Sequence, residues 1–129
     1  MVRAKPRAVA RAVGAKALER EARVRRALTF AALPGVTLAR ACARYRVPVA
    51  ALRRARRLLG PVTLSLDDLV LSGLSASRPR TPLELVPYLD WLDHAIYSEA
   101  ELRVVLRRLV AGGAVKRRGA GFVRAGPWP

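Results

Sequence analysis

The apolar positions of this chain fall into short helical repeats punctuated by glycine and proline, and the period shortens only near the C-terminus. From Ala15 to Leu33, Leu18, Ala22, Leu28 and Ala32 recur near the helical period, which predicts a helix closed by Pro34-Gly35. Leu38, Ala41, Cys42 and Tyr45 then stand at i, i+3, i+4 and i+7, one apolar face of a second, shorter helix. After Arg46-Val47-Pro48 a third helix places Leu52, Ala55 and Leu59 inward, and Pro48 is acceptable in its first turn. Leu59-Gly60-Pro61 ends this series, because Gly takes a left-handed conformation readily and Pro cannot continue a helix.

A new cycle begins at Ser65. This residue can cap a helix whose Leu66, Leu69, Val70 and Leu74 share a face, with Asp67 and Asp68 at its positive N-terminal end. Thr81-Pro82-Leu83-Glu84 has the spacing of a capping box with Pro at the first helical position, and Pro87 is expected to kink or restart this helix on its way to His94. Tyr88 and Trp91, at helical spacing, are expected in the core. Ser98 opens a last helix, to Ala111, with Leu102, Val105, Leu106 and Leu109 inward, and Gly112-Gly113 stops it. In AVKRRGAGFVRA the period falls to two residues around Gly119-Ala120-Gly121, which predicts two short strands.

Charge divides the chain at the same place as the breakers. Residues 1–60 carry fourteen Arg and two Lys against Glu19 and Glu21, a net charge of +14, whereas residues 61–129 hold nine cations against seven acids. A dense cationic half attracts a polyanion, since each cation on a phosphate releases condensed counterions. The excess of 22 Arg over 3 Lys fits guanidinium recognition of phosphate, and equally a genome biased toward GC. The lone Cys42 rules out an internal disulfide and fits a reducing cytoplasm, and the apolar runs are too short and too often broken by Arg for a transmembrane helix. MVRAKPRAVARAVGAKA is basic and free of acids but has neither Ser nor a continuous apolar run, so residues 1–14 are expected as a basic flexible arm rather than a targeting segment.

Helix, three-residue turn and helix between Pro34 and Arg57 have the spacing of a helix-turn-helix, whose second helix enters the major groove. PGVTLARACARYRVPVAALRRARR resembles the helix-turn-helix segments of bacterial regulators and transposases, with Thr37-Leu38-Ala39 and Tyr45-Arg46-Val47 at matching positions. Arg46 stands where that pattern has Gly, and Pro48 where it has a capping Ser. The resemblance places Val49, Ala50, Arg53, Arg54 and Arg57, together with Pro48, on a recognition face. Arg3, Arg7 and Arg11 of the arm can add backbone or minor-groove contacts.

Three helices and a terminal hairpin have the order of a winged helix. LVPYLDWLDHAIYSEAELRVVLRRLVAGGAVKRRGAGFV is similar to small bacterial winged-helix proteins of uncharacterised function, on Asp90, Asp93, His94, Ala95 and Ile96. Here Arg103 and Arg107 on the last helix, and Lys116, Arg117 and Arg118 on the hairpin, are candidate phosphate contacts, while Glu99 and Glu101 at the start of that helix oppose them.

The expected fold is therefore mainly α: an arm over 1–14, a helix-turn-helix segment over 15–60, and a winged-helix domain of three helices and a short β-hairpin over 61–129. Double-stranded DNA is the expected partner of this bacterial, cytoplasmic, nucleoid-associated protein, acting in transcription regulation or as an accessory DNA-binding factor. RNA, or a protein partner or second copy held through residues 61–129, are the alternatives. No membrane, enzymatic activity, cofactor or metal is expected: His94 is the only His and reads as a helix-ending residue, Asp90 and Asp93 as surface carboxylates, and no phosphate loop, nucleophile elbow or dinucleotide fingerprint is present.

Overall fold

In the computed structural model the backbone is described from Ala4 and the side chains from Gly14 to Pro129. Among the described residues, six helices and a two-stranded antiparallel sheet follow in the order α1 (Ala4–Ala31), α2 (Leu38–Tyr45), α3 (Val49–Leu59), α4 (Leu66–Gly73), α5 (Pro82–Asp93), α6 (Glu99–Ala111), β1 (Val115–Arg118) and β2 (Gly121–Arg124). The described residues are mainly helical, and none of their helices is long and apolar enough to cross a membrane. Two compact units divide the chain between Val62 and Thr63.

In the first unit, α1 begins at Ala4 rather than Ala15, so the segment expected as a flexible arm is helical from Ala4 onward. Its alanines favour helix, and Pro6 lies in the first turn, where no intrahelical N–H is needed. Among the described side chains of α1, the buried ones lie at its C-terminal end. Ala27, Leu28, Phe30 and Leu33 join Ala41, Cys42, Val47 and Leu52 in the core, whereas Leu18, expected on the inward face, is exposed. The ring of Phe30 meets Tyr45 edge to face at 5.9 Å. Thr37 caps α2 by accepting the Arg40 N–H at 3.1 Å. Leu52 is fully buried and carries α3 onto this core, and its truncation to Ala is expected to cost about 2–5 kcal/mol. Leu59, expected inward, is exposed at the last turn of α3, where the chain leaves through Gly60 at φ +76°.

In the second unit each helix begins on a reciprocal cap. Ser65 pairs with Asp68, Thr81 with Glu84 and Ser98 with Glu101, side chain to backbone in both directions. Helix α5 runs through Pro87 without restarting and ends at His94, left-handed at φ 51°. It buries Leu85, Leu89 and Leu92 against Leu69, Val70, Leu102, Val105 and Leu106. Trp91, expected in the core, stands outside because that leucine stripe occupies the inner face. Tyr88 lies at its edge, its hydroxyl 2.8 Å from that of Ser72. Trp128 is buried, its indole N–H donating to Asp68 at 3.5 Å.

Strand β1 pairs with β2 from Val115↔Arg124 to Arg118↔Gly121. The connection is Gly119-Ala120, with Gly119 at φ +60°, the arrangement of a type II′ turn. One rung was not legible in the sequence: Arg80 bridges Phe122 on the other edge of β2.

Candidate nucleic-acid interface

The turn between α2 and α3 depends on two residues. Arg46 takes the left-handed conformation at φ 54° and ψ 51°, the position where glycine is least strained. Val47 is buried, and its N–H donates to the Cys42 carbonyl at 3.1 Å. Pro48 then starts α3 from an extended conformation without a side-chain cap. With Leu52 fixed inward, the 3.6-residue period sends Val49, Ala50, Arg53, Arg54 and Arg57 outward, and all five are exposed.

Arg56, which the sequence pattern does not place on the recognition face, joins Arg53, Arg57, Leu38, Ala50 and Pro61 along one open groove. Its signal was its spacing of three residues from Arg53. Two further cations were not legible. Arg44 lies over the Phe30 ring at 4.5 Å and Arg40 over the same ring at 5.6 Å, both through contacts between helices.

No acid occurs between Glu21 and Asp67, so α2, α3 and the turn between them carry Arg40, Arg44, Arg46, Arg53, Arg54, Arg56 and Arg57 without one carboxylate. Arg25–Glu21, Arg103–Glu99 and Arg108–Asp67 form ion pairs. Guanidinium groups concentrated in a stretch of chain that has no acid produce a positive field that favours a polyanion. Among the arm candidates, Arg3 lies outside the described residues, as do the side chains of Arg7 and Arg11.

The second unit sorts its cations. Arg103 and Arg107, one turn apart on α6, line a groove of about 460 Å³ with Arg117, over a floor that includes Val110, Ala111 and Phe122. Arg117 lies 5.9 Å from the Phe122 ring centre. Lys116 and Arg118 are exposed too, but alternation along β1 turns them to the other face of the hairpin. Arg118 donates instead to the Ser77 carbonyl at 3.1 Å. The acids at the start of α6 have local partners: Glu101 accepts the Ser98 N–H at 2.8 Å and Glu99 holds Arg103 at 2.6 Å. Arg108 reaches Asp67, and this hydrogen bond and opposite charge hold its proton more firmly than usual.

Among the described residues no group of His, Cys, Asp and Glu could hold a metal ion. Cys42 is buried in the core of the first unit. The arrangement offers exposed guanidinium groups on a helix and along a groove, with Glu99 paired to Arg103 at the groove. Set against protein-family models, curated proteins and solved structures, the chain matches none of them.

Proposed function

We propose that this protein binds double-stranded DNA, with α3 laid into the major groove as the second helix of a helix-turn-helix. The observation that carries this reading is the exposed face of α3, where Arg53, Arg54 and Arg57 stand beside the small residues Val49 and Ala50 with no carboxylate between Glu21 and Asp67. Small residues at the start of the helix let its backbone approach base edges, and arginines one turn apart reach guanine or phosphate. The left-handed residue at Arg46 supports the reading as well, because it turns α3 away from α2 within three residues.

For the second unit, the order α4, the Arg80 rung, α5, α6 and hairpin supports a winged helix, with Arg103, Arg107 and Arg117 as its phosphate-gripping groove. Transcription regulation, or service as an accessory factor on DNA, is the role that requires only binding. A nucleoid-associated location follows from the same reading.

The test is competition at matched salt between a labelled pool of genomic duplex fragments and structured RNA. Retention of duplex DNA with a recurring sequence is the expected result. A strong preference for folded RNA would replace this reading with an RNA-binding one, since arginine-rich helices also grip RNA by shape and phosphate.

A further inference from the structure

Each unit leaves an apolar patch in solvent, and the two patches are bordered by opposite charges. On the outer side of α5, Leu83, Pro87 and Trp91 recur at four-residue intervals, with Leu83 65% and Trp91 64% exposed. Ile96, in the segment leaving α5, is 85% exposed. Between Arg80 and Arg103 the chain has Glu84, Asp90, Asp93, Glu99 and Glu101 and neither Lys nor Arg, in a protein of net charge +16. Glu84, Glu99 and Glu101 have partners at their own helix starts and Asp93 accepts the Tyr97 hydroxyl, while Asp90 precedes Trp91 directly in the sequence. At the end of α3, Leu58 is 75% and Leu59 61% exposed, and Arg54, Arg56 and Arg57 stand within the turn of sequence that precedes Leu58.

Apolar clusters of this kind, rimmed by charge, mark interaction surfaces. A polyanion is repelled by Asp90 and Asp93. Two α5 faces, or two α3 ends, would place like charges together. Joining one α5 face to one α3 end satisfies both requirements, covering the apolar side chains and pairing the charges.

We propose that the acidic outer face of α5 on one copy of this chain receives Leu58 and Leu59, with their flanking arginines, from the end of α3 on a second copy. The contact is heterologous, so each copy keeps one free face of each kind and association continues beyond two copies unless the rotation closes a ring. Arg54 and Arg57 belong also to the proposed DNA face, so duplex DNA and a second copy compete for α3. Self-association itself does not depend on the DNA reading and is measured without nucleic acid.

The experiment is sedimentation velocity on the full chain at low salt over a concentration series, with tryptophan emission recorded alongside. Species larger than the monomer are expected to grow with concentration and shrink with added salt. Emission should shift to the blue as Trp91 is covered, because Trp128 is already buried. Trp91→Arg and Leu58→Asp, both at exposed positions and checked for unchanged circular dichroism, are each expected to lose association. Their equimolar mixture should recover a one-to-one dimer and nothing larger, since each variant retains the face the other lacks. A wild-type chain that stays monomeric at every concentration, a Leu58→Asp variant that still self-associates, or a mixture that fails to dimerise would each overturn the proposal.

Discussion

The backbones of Arg80 and Phe122 exchange two hydrogen bonds, Arg80 N–H to the Phe122 carbonyl at 3.1 Å and Phe122 N–H to the Arg80 carbonyl at 2.8 Å. This single rung, with Arg124 N–H donating to the Ser75 carbonyl at 2.9 Å, ties the α4–α5 connection to the hairpin. It requires close approach at Gly121, where an added Cβ would stand 2.9 Å from Pro79 Cβ and 3.0 Å from the Arg80 nitrogen. Gly121→Ala is therefore expected to destabilise the second unit by about 1–3 kcal/mol, the usual scale of overpacking. Denaturant unfolding measures it, and an unchanged midpoint would show that the connection does not lie against β2.

Arg46 holds a left-handed backbone that glycine adopts without steric cost. Its side chain is exposed, and no described ion pair includes it. Arg46→Gly is expected to raise stability by about 0.5–1 kcal/mol while removing one cation from the turn. The check is a thermal melt beside a binding isotherm. A loss of stability would mean that the Arg46 side chain contributes packing that outweighs the strain.

On the DNA reading, neutralising about six phosphates gives a slope of roughly −5 for log affinity against log salt. Arg53→Ala and Arg57→Ala are expected to relax sequence preference, since a bidentate pairing of arginine with a base discriminates by about 1–3 kcal/mol. Arg7→Ala should weaken all duplexes alike. Binding of every variant to matched and scrambled sites separates the two behaviours, and uniform weakening throughout would remove base reading from α3.

Tyr97 donates its hydroxyl to Asp93, and this bond, with desolvation and the charges of Asp93 and Glu101, raises its pKa above the ordinary tyrosine value near 10. A raised folded-state pKa favours the neutral phenol, so its contribution to stability is complete below the unfolded value and is lost as pH rises through the folded one. Stability is expected to decline in the alkaline range above about pH 10. Tyr97→Phe should flatten that part of the profile of unfolding midpoint against pH. An identical alkaline profile in both proteins would assign the decline to other groups.

The starts of α4, α5 and α6 were legible because their causes are local. Ser65, Thr81 and Ser98 each meet a backbone N–H three residues on, so a cap is written within four consecutive letters. The acid-free stretch from Glu21 to Asp67 and the outward set on α3 were likewise readable, because charge counts need no geometry and Leu52 alone orients the helix. Periodicity failed where a helix had two apolar stripes or no neighbour. In α5 the Leu85, Leu89 and Leu92 stripe is buried and the Leu83, Pro87 and Trp91 stripe is not, a choice made by what packs beside the helix. Leu18 has the right spacing on α1 but lies on a part of the helix that the core residues from Ala27 onward do not reach.

By itself, then, the sequence determined the helical segments from α2 to α6, the caps of α4, α5 and α6 and the division of charge along the chain, the first two of which depend on residues within a turn of one another. Tertiary structure decided the Arg80–Phe122 rung, the stacking of Arg44 on Phe30, the gathering of Arg103, Arg107 and Arg117 in one groove, and the exposure of Trp91. Each joins elements distant in sequence, or depends on which side of a helix another element covers, and no local preference records that.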